Sequence, residues 1–267
     1  MGGYTGATYL GPVTYAVAET MAAAGCKAPI MLDNGILVQV DDRLSTPRLV
    51  PAMYTIGAGD WAVLTELDPA SYTPGSPPTG WSEDLTNNAT VTVSGGDILL
   101  TATYDGLVAS NAKLNYMPSL SAGDEWHIVA KIGSTPQGGT DPYLFRINDD
   151  RRGADDERML VYAARSDEDC YMHAGAANAG TVRAIGDEDK HVEWLRFDMD
   201  GTNSDEWTTT WERVDLAHSM VCFMNGEGWY NTDNLKLLQL YSSVTAGDDA
   251  ENTVISVEWL VIYKDAA

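Results

Sequence analysis

The sequence predicts an all-β chain, an antiparallel two-sheet jelly-roll sandwich with a small N-terminal arm, helix and hairpin as an anchoring region, and three observations lead there. First, residues 191–214 read as two strands around a polar reversal. Val192, Trp194 and Arg196 fall on one pleat face and Glu193, Leu195, Phe197 and Met199 on the other, while Asp200 and Gly201 supply the positive φ of a tight turn. Second, strand-like runs recur at sandwich spacing after residue 80: 89–93, 98–104, 125–132, 143–147, 158–164, 171–174, 182–185, 192–199, 208–214, 235–242 and 254–263. Gly, Asn, Asp, Ser and Pro fill the gaps between them. Third, no long helical period competes in this stretch, and no self-similar repeat emerges.

The N-terminal part has a different texture. Residues 1–12 are uncharged and rich in Gly and Thr, which suits an extended arm that gains order by lying on something else. The alanine-rich run 13–24 predicts one short helix ended by Gly25, with Val13, Val17, Met21 and Ala24 on one stripe. Residues 28–40 predict a hairpin reversing at Asp33, Asn34 and Gly35. Pro47 and Pro51 then break regularity, and 52–56 predicts one further strand. So few strands bury no face of their own, so this piece must pack on the following domain, on a sister subunit or on a larger assembly. Four of the eleven prolines fall in 68–80, which predicts a stiff linker. The expected organisation is therefore 1–67 for anchoring or assembly, 68–80 as linker and 81–267 as the sandwich.

Charge narrows the function classes. The 267 residues carry a net charge of −23, unevenly: 1–80 hold three basic and seven acidic side chains, against thirteen and thirty-two beyond. Such a field repels nucleic acid, whose phosphates are bound through Lys and Arg, and it repels anionic membranes. No apolar stretch reaches the length of a membrane-spanning helix, so no membrane insertion is expected. Cys26, Cys170 and Cys222 are an odd count without paired spacing, which predicts free thiols in a reducing compartment. The first thirty residues lack a basic segment followed by an apolar core, so no signal peptide is expected.

The hairpin carries a resemblance. Its strand and turn, Trp194-Leu195-Arg196-Phe197 running to Asp200-Gly201, with a Trp-closed return strand, resembles the central hairpin of concanavalin-like lectin and laminin-G-type jelly rolls. The run 123–132 (GDEWHIVAKI) is similar to an earlier inner strand of that family, and 235–243 and 255–265 to its last two. The resemblance covers roughly 80–267 and contains no catalytic motif, so it implies a fold rather than a reaction.

Candidate chemistry is correspondingly sparse. Glycosidases on this fold place their carboxylates as E-x-D-x-x-E on one strand, and that spacing is absent. No G-x-S-x-G elbow accompanies His127, His173, His191 or His218, and no phosphate loop occurs, so no catalytic residue is assigned. Asp198, Asp200, Asn203 and Asp205 crowd oxygen ligands into the hairpin turn and would suit Ca²⁺; a solvated turn is the alternative, and no other cofactor is expected. Trp207, Trp211, Trp229, Tyr230 and Tyr241 are candidates for stacking on sugar rings, centred on the Gly- and Asn-rich loop 224–234, where Trp229, Tyr230, Asn231 and Asn234 would hold a glycan. Burial in the core or in an interface is the other reading of these rings.

The layout as a whole resembles bacteriophage virion surface proteins, in which a small N-terminal part holds the particle and a lectin-like jelly roll projects. That resemblance implies a non-enzymatic structural subunit of the virion, a head decoration or fibre, bound to the major capsid or tail protein, homotrimeric, and assembled in the host cytoplasm. The alternative is a carbohydrate-binding, lectin-like domain recognising a host surface glycan; a glycoside hydrolase is third.

Overall fold

The computed structural model describes residues 11–56, 60–103, 107–116, 125–135, 143–149, 157–163, 170–174, 191–199, 206–214, 218–225, 235–244 and 252–265. The chain begins with α1 (Tyr15–Ala23), whose N-cap Thr14 accepts a hydrogen bond from the Val17 amide at 3.4 Å. The expected stripe holds in part: Val13 and Met21 pack against the core, but Val17 is 46% exposed and Ala24 is exposed, and the buried positions are Tyr15 and Ala18. The Tyr15 hydroxyl donates to the Leu49 carbonyl at 3.1 Å, so the one large ring on the helix sets which side faces inward.

A three-stranded sheet follows, β1 (Ile30–Met31), β2 (Leu37–Asp41) and β3 (Arg48–Pro51), in the order β1-β2-β3. Its first hairpin is the expected one, with Gly35 at φ 88° and Ile30 opposite Val38. Pro51 ends an edge strand, where a missing N–H is harmless. The strand expected at 52–56 is replaced by a 3-10 turn, Ala52–Tyr54, which swings the Tyr54 ring into the core. Next comes β4 (Trp61–Leu67), paired antiparallel with the last strand of the chain.

Residues 68–80 form a folded loop where proline density suggested an extended one. The Asp68 carbonyl accepts from the Ser71 and Tyr72 amides, and buried Tyr72 donates its hydroxyl to Glu83 at 2.6 Å. Proline pre-sets turn angles as readily as extended ones, and here the turns win. Gly80 closes the loop at φ 88°, and a Cβ there would meet Tyr116 Cε2 at 2.8 Å. Gly80→Ala is expected to cost about 1–2 kcal/mol for the left-handed backbone alone, read as a lowered urea midpoint; an unchanged midpoint would show that the loop relaxes freely.

The sandwich is built from β5 (Trp81–Thr86), β6 (Thr90–Ser94), β7 (Asp97–Ala102), β8 (Ser110–Tyr116), β9 (Glu125–Thr135), β10 (Tyr143–Asp149), β11 (Glu157–Ala163), β12 (Cys170–Ala174), β13 (His191–Met199), β14 (Glu206–Arg213), β15 (His218–Asn225), β16 (Leu235–Val244) and β17 (Thr253–Asp265). Among the described residues these form a six-stranded sheet, β12-β11-β10-β16-β8-β5, and an eight-stranded one, β15-β14-β13-β9-β17-β7-β6 with β4 beside β17. The hairpin expected at 191–214 is β13 paired with β14, Met199 opposite Trp207. The run expected at 182–185 lies outside the described residues.

The two sheets bury Ala112, Leu114, Leu238 and Leu240 of one against Ile98, Leu100, Ile128 and Ile132 of the other. A second apolar layer lies on the far side of the eight-stranded sheet. There Tyr15, Ala18, Leu32, Val38, Val50 and Tyr54 of the N-terminal cap join Val129, Val192, Trp194, Val261 and Tyr263 in one buried cluster. An irregularity in β17 between Val257 and Trp259 shifts its register, and beyond it residues 259–263 are buried in succession. A strand covered on both faces has no polar alternation, and the cap supplies the second cover. Lys131 adds an ionic tie, meeting Glu19 of α1 at 3.0 Å and Glu258 at 3.3 Å.

Candidate functional site

The residues assigned to a glycan from sequence, Trp229, Tyr230, Asn231 and Asn234, lie outside the described residues, as do Asp200, Asn203 and Asp205 of the Ca²⁺ candidate. Asp198 belongs to β13, in register with Thr208 and with Glu125. Among the described residues no group of three or more His, Cys, Asp or Glu side chains is placed to hold a metal ion. The aromatic candidates are divided between the sheets. Trp207 and Trp211 sit on β14 in the eight-stranded sheet, whereas Tyr241 sits on β16 in the six-stranded one.

His127, expected as a sheet-face residue, is buried beneath the cap. Its Nδ1 pairs with the Tyr54 hydroxyl at 2.6 Å and its Nε2 with Glu125 at 2.8 Å. Tyr54 stacks on Tyr263 with ring centroids 4.0 Å apart, and Trp61 covers the His127 ring at 4.3 Å. Beside them buried Asp41 accepts from Arg43 at 2.7 Å and from the Tyr263 hydroxyl at 2.9 Å. Burial pushes the Asp41 carboxyl up, but the Arg43 and Tyr263 hydrogen bonds outweigh it and hold the group below the usual aspartate value. Burial, together with Asp41, raises the Tyr263 hydroxyl well above its ordinary range. Asp41, Tyr54, His127 and Tyr263 are buried under the cap and bonded within this network, with Glu125 and Arg43 partly exposed at its rim, so the network holds the layers together.

A half-buried polar row lies on the outer face of the six-stranded sheet. On β8, Ser110, Ala112, Leu114 and Tyr116 point inward, leaving Asn111, Lys113 and Asn115 on the other side. On β16, Leu238, Leu240 and Ser242 are buried toward the core, while on the other side half-buried Tyr241 and Ser243 stand opposite Lys113 and Asn111, and Gln239, itself buried, stands opposite Asn115. β5 adds Ser82, Asp84 and Thr86 in register with the same three residues. The side chains meet across the strands: Gln239 Nε2 donates to Asn115 Oδ1 at 2.7 Å, and the Tyr241 and Ser243 hydroxyls both donate to Asn111 Oδ1 at 2.8 Å. Lys113 Nζ lies 3.3 Å from Asp84 and 5.2 Å from the centre of the Tyr241 ring. Amides, hydroxyls and one aromatic ring in fixed rows form a surface suited to a polyhydroxylated ligand.

Sequence reasoning singled out Tyr241 but not its neighbours. The signal was present as period-two polar alternation in both 110–116 and 239–243, hidden because Asn, Ser and Lys are poor strand formers. An open cleft of about 430 Å³ lies at the β5 edge between Gly75, Pro77, Trp81 and Glu83. Two of its polar groups are engaged within the fold: the Trp81 indole donates to Thr65 at 3.0 Å, and Glu83 accepts from Tyr72 and from the Gly75 amide.

No protein-family model matches the chain, and no curated protein matches it. Solved structures do. The lectin UEA-II complexed with galactose is 8% identical over 76% of this chain and 99% of its own, with a TM-score of 0.51. A chain from work on endo-acting O-glycanases that initiate mucin breakdown, expressed by members of the human gut microbiota, is 12% identical over 75% of this chain and 98% of its own, also at 0.51. At such identities the likeness establishes architecture alone: the chain has the lectin-like jelly-roll fold that its hairpin and last strands resemble.

Proposed function

We propose that this chain binds carbohydrate, without hydrolysing it, on the outer face of the six-stranded sheet. The observation that carries the reading is the set of directly opposed pairs Asn115 with Gln239, Lys113 with Tyr241 and Asn111 with Ser243. An aromatic ring takes the apolar side of a pyranose while amides and hydroxyls bond its hydroxyl groups, and both are fixed here by the sheet. Moving the largely buried Lys113 ammonium off the Tyr241 ring costs about 0.5–2 kcal/mol, which the stacked, hydrogen-bonded sugar has to offset. Binding without hydrolysis is the reading taken because glycoside cleavage needs two carboxylates flanking the bond, and the E-x-D-x-x-E spacing that supplies them on jelly-roll glycosidases does not occur in the sequence.

The test is glycan-array screening followed by calorimetry with the best ligand. Tyr241→Ala is expected to weaken binding at least about tenfold, roughly 1.4 kcal/mol, with unchanged far-UV circular dichroism. Full affinity in that variant sinks the sheet-face reading, and loss in Trp229→Ala instead returns the site to the loop 224–234.

The virion setting, with a capsid or tail partner and a trimeric assembly, rests on the sequence layout. Its physical motive was an N-terminal helix and hairpin with apolar faces needing cover, and the sandwich's own eight-stranded sheet covers them. The carbohydrate reading is therefore the stronger of the two.

A further inference from the structure

Lys113 is the one cation among the described side chains of the polar face, and it is already engaged. Its ammonium sits 3.3 Å from the Asp84 carboxylate and over the Tyr241 ring, with the Lys113 side chain 16% exposed and that of Asp84 49% exposed. A ligand approaching this face therefore meets the carboxylate more readily than the ammonium. Beyond the face, the net charge of −23 sets a repulsive field for any polyanion. The half-buried groups around Lys113 are uncharged, the Asn111 and Asn115 amides and the Tyr241 and Ser243 hydroxyls, bonded to one another across the strands, with the buried Gln239 amide bonded to Asn115. Asn111 and Asn115 are four residues apart on one strand, roughly 13 Å, a span longer than one hexose ring.

We infer that the site selects uncharged glycan chains over acidic or sulfated ones, and that Asp84 sets this selectivity by holding Lys113. The inference rests on the sheet-face reading and names its ligand class. A sulfate or uronate has to displace Asp84 from Lys113 before it gains a cation, and its own charge then lies beside the released carboxylate. A neutral chain needs neither step.

The experiment titrates the full chain with backbone-matched pairs, dextran against dextran sulfate and galactan against polygalacturonate, using wild type, Asp84→Asn and Tyr241→Ala at low and high salt. The expected result is that a neutral member binds at least about tenfold more tightly than its charged counterpart, with little salt dependence. Asp84→Asn should narrow that ratio by strengthening the charged member. Equal or tighter binding of the charged member by wild type overturns the selectivity while leaving the sheet-face reading intact if Tyr241→Ala abolishes it; Arg146, opposite Gln239 in register on β10, is then the cation to substitute. A wild-type ratio that Asp84→Asn leaves unchanged removes Asp84 as its cause. Binding of any member that Tyr241→Ala leaves intact, or no binding at all, overturns the sheet-face reading and the selectivity with it.

Discussion

Tyr54→Ala is expected to lower the unfolding free energy by about 3–5 kcal/mol, measured by urea denaturation. The ring is fully buried between layers, stacked on Tyr263 and edge-on to Trp61 and Trp194, so little surrounds it that can collapse into the space. Its hydroxyl is also the group that meets His127 Nδ1 from the cap side. Tyr54→Phe isolates that contribution and is expected to cost about 1–3 kcal/mol, because it keeps the packing and withdraws one partner of a buried polar atom. Since one apolar cluster contains residues of cap and sandwich alike, wild type is expected to unfold in a single transition. A Tyr54→Ala protein within 1 kcal/mol of wild type, or a cap that melts separately without loss of sheet signal, would contradict this account of the interface.

Asp41→Ala is the second large effect, expected near the lower end of about 3–5 kcal/mol, because Arg43 remains about one-third exposed and water screens part of its charge. The substitution withdraws the acceptor of both Arg43 and the buried Tyr263 hydroxyl. It also carries a pH signature. A carboxylate whose folded-state pKa is depressed contributes fully above its unfolded value and loses that contribution as pH falls through the folded one. Wild type should therefore lose stability on acidification below the ordinary aspartate range, and Asp41→Ala should lose less over the same window. Glu66, raised first by burial, works in the opposite sense and gains stability on protonation, so the difference between the two proteins is the quantity to read. Parallel melting-temperature curves for both proteins from neutral to acid pH would sink the assignment.

The parts of the fold legible in the sequence are those where burial demands large alternating side chains. β9, β13, β16 and β17 carry Trp, Ile, Val and Leu at inward positions, and the Asn34-Gly35 reversal follows from backbone sterics alone. β8 is hard to read because Ser110 and Ala112 fill inward places with little volume, and β5 because, as an edge strand, it tolerates polar residues on both sides. The turn at Ala52–Tyr54 is decided by the partner that Tyr54 finds 73 residues away in His127, which no local propensity encodes.

What the sequence by itself determined is an acidic two-sheet sandwich, its central hairpin, and a short N-terminal helix and hairpin unable to stand alone. The alternation of side chains states which residues share a face of one strand, and that rule is local. Only the tertiary structure decided where the cap docks and which strands lie side by side. Tyr241 meets Asn111 from 130 residues away because β16 pairs with β8 in one register, and a slip of one residue would send the whole polar row into the core. The candidate site is a property of that long-range register, set by the apolar faces that both sheets had to bury.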